Sequence, residues 1–290
     1  MQSELTNKTK VCAVVVLYNS EKQILNNIDS YVSQVDKVYA IDNSEVIDSN
    51  LISSITLKPG IEYHWMQGNK GIAAALNKAA QLALDMGYDY LLMMDDDSLA
   101  PPELVSSLHN IIDSDPTIGI VASQSDPSVQ RNDVQQVLTA ITSGSILSLS
   151  AYQNVGPFLD DLFIDWVDHE YCFRLSRHGY RVIMANRIVL SHRLGLFKTK
   201  RILGIVPIRF RSHNPTRLYY KFRNSIYVIH LYKKQLPIPF VLSVCYELAV
   251  DIAKVTFVED KKRVYRQAIQ KAIKDLLKKK FGKLESKFGI

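Results

Sequence analysis

Cysteine is scarce in this chain of 290 residues: there are three, Cys12, Cys172 and Cys245. They lie far apart and no pair has zinc-ligand spacing, which argues against a disulfide-stapled scaffold or a cysteine zinc site and implies reduced thiols in an apolar core. Neither GxGxxG nor GxxxxGK[ST] occurs, so a dinucleotide-binding dehydrogenase and a P-loop enzyme lack their phosphate cradles. No apolar run is free of charge over a bilayer's width. The strongest, Pro237 to Val258, is interrupted by Glu247 and Asp251 and reads as an interfacial or packed helix. Met1 to Lys10 is polar and lacks the apolar stretch of a signal peptide, so the expected location is cytoplasmic. Carboxylates are also missing where they would be most noticed: Tyr171 to Tyr246 holds 15 Lys and Arg and not one Asp or Glu.

What is present balances that gap. At 47% hydrophobic the chain can bury a substantial core. Residues 1–170 hold 8 basic side chains against 23 acidic ones, while the whole chain carries a net charge of +6. An acidic half that attracts a cation thus precedes a basic region suited to phosphates, whether of a nucleotide, a lipid carrier or a membrane surface. No recognised nucleic-acid motif accompanies the basic blocks, so no nucleic-acid partner is expected.

Strand-like runs alternate with helical patterns through about residue 125, the signature of a doubly wound, mostly parallel α/β sheet. The run Val11 to Leu17 ends in Tyr18-Asn19-Ser20, with Ser20 as N-cap of a helix over Glu21 to Val32. Lys37 to Ile41 ends in Asp42-Asn43-Ser44. Ile61 to Met66 leads into Gly68-Asn69-Lys70-Gly71 and an alanine-rich helix over Ile72 to Met86. Tyr90 to Met94 ends in Asp95-Asp96-Asp97-Ser98. In such sheets ligands bind outside the carboxyl ends of the strands. Three adjacent carboxylates there suit Mg²⁺ or Mn²⁺ carrying a phosphorylated substrate. On the same edge Asp42 can accept the imide N–H of a pyrimidine, Tyr18-Asn19 can line a base pocket, and Gly71 permits close approach at a helix start that favours anions. Each also has a structural reading, as turn former, cap or helix-start glycine.

Further along, Val137 to Ile141 and Ile146 to Leu149 read as strands around Ser143-Gly144-Ser145, with Gly144 at a bulge, a turn or a close ligand approach. A helical pattern runs from Val167 to His178. Asp168 lies in its first turn, as a cap or as a base pointing into a cleft. The strand Arg181 to Leu190 leads to His192, whose imidazole can complete a carboxylate metal site. The tail has apolar residues at helical spacing from Val264 to Phe281 with Lys and Arg on the other face, the pattern of a helix lying on an anionic bilayer or packing on protein.

These motifs, in this order, resemble the family 2 inverting glycosyltransferases of the GT-A fold, and more narrowly bacterial rhamnosyltransferases that use dTDP-L-rhamnose. The likeness rests on Tyr18-Asn19, Asp42-Asn43-Ser44, Asn69 to Asn77, Asp95 to Ser98, Ser143-Gly144-Ser145, Phe163 to Arg174 and Ser191-His192, and covers about residues 10–230. It implies a GT-A domain over 1–230, with a nucleotide-binding half at about 10–125 and an acceptor half at about 126–230, followed by a helical basic extension over 231–290. It further implies that Asp95 and Asp97 form the DxD pair, with Asp97, His192 and Asp95 at a Mg²⁺ or Mn²⁺ ion. Leu17, Tyr18, Asn19, Asp42, Asn69, Gly71, Asp95 and Asp96 would bind the nucleotide sugar, and Gly144, Trp166 and Arg223 the acceptor. Asp168 would be the general base, although many relatives carry Glu-Asp where this chain has Val167-Asp168, which leaves Glu170 and Asp165 as reserves. The implied reaction moves L-rhamnose to a cell-surface polysaccharide or lipid-linked saccharide at the inner face of the cell membrane, with a second copy of the chain allowed as partner. Two other readings compete. One is a phosphatase or phosphotransferase of haloacid dehalogenase type, because Asp95 to Leu99 is similar to its nucleophile loop; the other is a non-catalytic glycan- or membrane-binding scaffold.

Overall fold

A run of β-branched residues with every side chain buried has one stable solution, a strand covered on both faces, and β1 (Val11–Leu17) takes it. The computed structural model describes residues 9–125, 132–192, 197–202, 206–211, 214–285 and 288, with the backbone alone from 192 to 211. After β1 come α1 (Ile24–Asp29), β2 (Lys37–Asp42), α2 (Ser49–Thr56), β3 (Ile61–Trp65), α3 (Ile72–Asp85), β4 (Tyr90–Asp95), the two-residue β5 (Ser98–Leu99) and α4 (Leu104–Asp113). Then come β6 (Ile118–Gln124), β7 (Val134–Gln136), β8 (Ser145–Ser148), α5 (Leu149–Val155), α6 (Val167–Arg177), β9 (Arg181–Val189) and β10 (Ser191–His192). A hairpin of β11 (Phe197–Ile202) and β12 (Val206–Arg211) precedes three helices, α7 (Pro215–Tyr232), α8 (Ile238–Phe257) and α9 (Lys262–Leu277).

Eight strands form one sheet in the order β3-β2-β1-β4-β8-β6-β9-β7. β1 runs parallel to β2 and β4, β2 to β3, and β6 to β9; β8 and β7 run against their neighbours. The expected doubly wound, mostly parallel sheet is therefore present. The chain winds outward from β1 to β3 and then crosses back to β4 on the other side of β1. That reversal is the switch point at which such sheets open a crevice. Register aligns its rim: Leu17 pairs with Asp42, Asp42 with Trp65, and Val16 with Asp95.

Several local expectations shift. The helix expected over Glu21 to Val32 is shorter, α1 followed by a single 3-10 turn at Val32–Gln34. Ser20 is not its cap, because the Ser20 hydroxyl donates to Asp96 instead. The strand expected at Val137 to Ile141 lies a few residues earlier, at β7; beyond Val137 the chain leaves the sheet on its way to the turn at Ser143. Cys12 and Cys172 are core residues, with burial pushing the Cys172 thiol up to about 12, but Cys245 is exposed on α8.

The chain divides into two compact units, residues 1–159 with 168–193, and 160–167 with 194–290. The first contains the sheet and its core, in which Val15, Ile28, Ala40, Leu92 and Val121 are fully buried. In the second, α7 starts with Asn214 accepting the Arg217 N–H at 2.7 Å and Pro215 at its first turn. Tyr265, Ala268 and Ala272 of α9 bury against Leu218, Tyr219 and Phe222 of α7. Of the tail's apolar stripe, these three residues are thus committed to protein packing, while Ile273 and Leu277 stay exposed. Among the described residues no helix is long and apolar enough to cross a membrane.

Candidate active site

The site is built at the carboxyl end of each strand. After β1 the backbone turns through the left-handed conformation at Asn19 (φ 50°), and the Asn19 N–H donates to Ser44 Oγ at 2.8 Å. Asparagine tolerates that conformation better than most residues. After β2, Asp42 is buried; its Oδ1 accepts the Ser44 N–H and its Oδ2 the Tyr63 hydroxyl, each at 2.9 Å. Leu17, Asn19, Ser20, Asp42 and Ser44 line a cleft of about 30 Å³ against α2.

Asn43 is a site residue that the sequence does not single out, yet it joins two loops. Its Oδ1 accepts the Lys70 N–H at 2.7 Å and its Nδ2 donates to Gly71 O at 3.1 Å. Asn69 closes the turn by accepting the Gly71 N–H at 3.0 Å. Gly71 has φ 92°, a conformation glycine adopts without strain, and no side chain caps α3 behind it. The leading N–H groups of α3 therefore have no side-chain cap, an arrangement that suits an anion. The one signal for Asn43 is its place in the triplet Asp42-Asn43-Ser44, where the neighbouring acid is more conspicuous.

The acid loop is held from beneath. Asp95 donates its N–H to Ser143 Oγ at 3.0 Å, and Ser143 Oγ is 2.8 Å from Ser98 Oγ, with both serines buried. Gly144 (φ 71°) lies against Ser123 and Leu190, and its N–H donates to Met93 O at 2.8 Å, so it packs the turn against β4 and is buried. Asp95, Asp96 and Asp97 are half-buried. Asp96 is turned toward Ser20, while Asn27 Nδ2 donates to its carbonyl at 2.7 Å. Burial pushes its carboxyl above the ordinary range, against the Ser20 hydrogen bond and with the help of the Asp97 charge. It therefore ties the Tyr18-Asn19-Ser20 loop to the acid loop. Directly after Asp97, β5 pairs antiparallel with β10, His192 opposite Ser98. The His192 side chain lies outside the described residues.

Asp168 opens α6. The helix runs to Arg177 and the short turn from His178 to Tyr180 then enters β9. Asp168 Oδ1 accepts both the backbone N–H and the ring Nδ1 of His169 at 2.8 Å. Burial alone would raise this carboxyl; the His169 contacts outweigh it and hold it below the ordinary carboxylate range. The reserve Glu170 is buried and bound in a fork by Arg174, at 3.0 and 2.9 Å. The other reserve, Asp165, pairs with Arg217 at 3.2 Å in the second unit.

Two residues expected at the acceptor also belong to that second unit. Trp166 follows Phe163 and Asp165 in a loop where all three adopt positive φ (63°, 61° and 68° in chain order), and its ring meets Phe240 edge-on. Arg223 is 1% exposed, and its guanidinium donates to the carbonyls of Asp161, Leu162 and Gly282 and to Asn224 Oδ1. Asn224 Nδ2 reaches the carbonyls of Leu162, Ile164 and Asp165 at 2.8 to 2.9 Å. Arg223, expected to meet the acceptor, is instead an internal clamp on the loop that leads into α6.

Among the described residues no three His, Cys, Asp or Glu side chains gather to hold a metal. Asp95 and Asp97 nevertheless offer the hard oxygen donors a divalent cation takes when substrate phosphates complete its shell, so the residues present fit such an ion.

This chain belongs to glycosyl transferase family 2, whose model matches residues 12–186, and it is a glycosyltransferase. It is similar to the dTDP-rhamnosyl transferase RfbF of Shigella flexneri, 26% identical over an alignment of 264 residues that covers 81% of this chain and 84% of that one. Solved structures of similar fold include the mannosyltransferase PcManGT of Pyrobaculum calidifontis in complex with GDP-Man and Mn²⁺ (TM-score 0.60, 16% identity, 95% of this chain and 89% of that one). Another is S. aureus TarS 1-349 in complex with UDP-GlcNAc (TM-score 0.60, 13% identity, 94% and 82%). The GT-A fold is thereby established, and the haloacid dehalogenase reading of Asp95 to Leu99 is set aside; that acid loop ends the fourth strand of the chain.

Proposed function

We propose that the chain is a metal-dependent inverting rhamnosyltransferase, moving L-rhamnose from dTDP-L-rhamnose to a growing cell-surface polysaccharide or lipid-linked saccharide at the inner face of a bacterial membrane. The observation that carries the reading is the shared rim: Leu17, Asp42 and Asp95 end neighbouring parallel strands at the switch point, and β10 brings His192 opposite Ser98, the residue after Asp97. The name of the Shigella relative supports the donor sugar, and the Mn²⁺ in the mannosyltransferase complex supports a divalent cation.

In this reading Asp42 takes the base N–H, the Asn69-Lys70-Gly71 turn and the start of α3 receive the donor's anionic part, and Asp97, with Asp95 and His192, holds Mg²⁺ or Mn²⁺. When bound, that ion stabilises the charge developing on the departing nucleoside diphosphate. Asp168, ionised at neutral pH because its carboxyl is held low, removes the acceptor hydroxyl's proton. The freed oxygen attacks the anomeric carbon from the face opposite the diphosphate, the carbon–oxygen bond to the diphosphate breaks, and configuration inverts. No sugar–enzyme bond forms.

The test is a thermal-shift series with dTDP-L-rhamnose and UDP-sugars, with and without Mn²⁺. Near a hundredfold excess over Kd, ligand linkage stabilises the fold by about 2.7 kcal/mol. The expected result is a shift with dTDP-L-rhamnose that needs the metal, is kept in Asp168→Asn and loses its metal dependence in Asp97→Ala. Transfer by Asp168→Asn should fall on the order of 10²- to 10⁴-fold. Equal donor affinity of Asp97→Ala and wild type with Mn²⁺, by calorimetry, would remove the metal assignment, and a shift with UDP-sugars alone would replace the donor.

A further inference from the structure

α8 is held by one side only. Val244, Asp251 and Val255 are its buried residues, and Asp251 accepts from Lys221 at 2.7 Å and from Lys254 at 3.1 Å, which ties this side to α7. On the other side Ile238, Leu242, Tyr246, Ile252 and Phe257 are 48–73% exposed. At 3.6 residues per turn these five fall within one arc of about 140°, running roughly 28 Å along the helix. No charged side chain falls on that arc between Ile238 and Phe257. Soluble chains rarely leave so continuous an apolar strip uncovered, and strips of this kind mark contact surfaces.

Charge at the ends of the strip selects what covers it. Exposed Lys233 and Lys234 precede α8, and exposed Lys261, Lys262 and Arg263 come after it, outnumbering Glu259 and Asp260. Antiparallel pairing of two copies through the strip would bring net positive ends together. An anionic lipid surface attracts both ends and accepts the strip between them. We propose that α8 lies in the headgroup region of an anionic bilayer, its Ile238–Phe257 face in the acyl boundary and its flanking lysines on lipid phosphates. The helix lies along the surface and does not cross it, in keeping with the charges at Glu247, Asp251 and Lys254 on its remaining sides. The inference bears on the proposed function by naming the surface from which a lipid-linked acceptor is reached, but the binding itself needs no donor.

The test uses the full chain and flotation with vesicles of phosphatidylcholine alone or with phosphatidylglycerol added. The wild type should float with the anionic vesicles and release as salt is raised. The variant Leu242→Gln/Tyr246→Gln/Phe257→Gln should lose at least tenfold in partitioning while keeping its unfolding temperature, and each charge removed in Lys261→Gln and Lys262→Gln should weaken it about fivefold. Light scattering should give the same monomer mass for wild type and triple variant. Failure of the wild type to float, unchanged flotation of the triple variant, or a wild-type dimer that the triple variant abolishes would each overturn the proposal, the last in favour of a second copy. Transfer of rhamnose to a water-soluble acceptor, measured alongside, should be the same in the triple variant. In the wild type, transfer without flotation would refute the docking alone, and flotation without transfer the rhamnosyltransferase reading alone.

Discussion

Replacing Arg223 by lysine keeps the charge and takes away the fork. The guanidinium donates at 3.0 Å to Gly282 O and Asp161 O, at 3.2 Å to Leu162 O and at 2.9 Å to Asn224 Oδ1, and it lies 5.0–5.5 Å from the ring centres of Tyr219, Tyr220 and Phe281. Two of the acceptors have a second donor: the Gly282 N–H on Asp161 O and the Ile164 N–H on Leu162 O, both at 2.7 Å. Gly282 O and Asn224 Oδ1 therefore bear the loss. A buried acceptor left without its donor costs about 1–3 kcal/mol, and one lysine ammonium can serve only one of the two well. The expected destabilisation is about 1–3 kcal/mol, which at roughly 2–4 °C per kcal/mol for a domain of this size lowers Tm by about 2–12 °C in calorimetry. Arg223→Met serves as the companion. It also removes the buried charge, so if Met is the more stable of the two, the bare ammonium is what the site tolerates least. A Tm within about 1 °C of wild type for Arg223→Lys would refute the clamp, since four hydrogen bonds from a buried guanidinium cannot be both formed and dispensable.

Three further outcomes rest on the geometry. Gly144→Ala puts a Cβ at 2.8 Å from Leu190 Cδ2 in a left-handed residue, so about 2–4 kcal/mol of stability should be lost in thermal unfolding. Asn43→Leu leaves the Lys70 N–H and the Gly71 carbonyl without their side-chain partner; about 1–3 kcal/mol should go, and the donor KM should rise more than kcat falls. For acid stability the group to watch is Asp251: burial alone would raise it, but Lys221 and Lys254 outweigh that and hold its carboxyl below the ordinary range. Its contribution is full above the ordinary carboxylate pKa of about 4 and disappears as pH falls through the depressed value. Unfolding monitored from neutral pH downward should therefore show less acid dependence in Asp251→Asn than in wild type.

The sheet was legible because a strand buried on both faces has to be apolar throughout. The runs ending at Leu17, Asp42 and Asp95 could hardly be anything else, and the acids after them marked the rim. Less could be read where the decisive fact is who donates to whom. Asn43 and Ser143 look like ordinary turn residues in the sequence, although one ties the loops after β2 and β3 together and the other props the acid loop. Arg223 belongs to a basic tract, and a tract of that kind reads the same whether water or carbonyl oxygens surround it. The three left-handed residues at Phe163, Asp165 and Trp166 left no trace at all, since none is a glycine or an asparagine. Within the same loop Asn224 gathers the carbonyls of Leu162, Ile164 and Asp165. The tail's helical period was plain, yet period alone does not say which of two helices hides its apolar side.

Ser143 carries a lesson for anyone wishing to transplant the acid loop. Its hydroxyl meets both the main chain of Asp95 and the hydroxyl of Ser98, so the carboxylates take their aim from a turn some fifty positions downstream, on the antiparallel side of the sheet. Copying Asp95 to Ser98 onto another parallel scaffold would deliver the acids without their bearing. The smallest portable piece is β4 together with Thr142 to Ser145 and the glycine that lets the two lie so close.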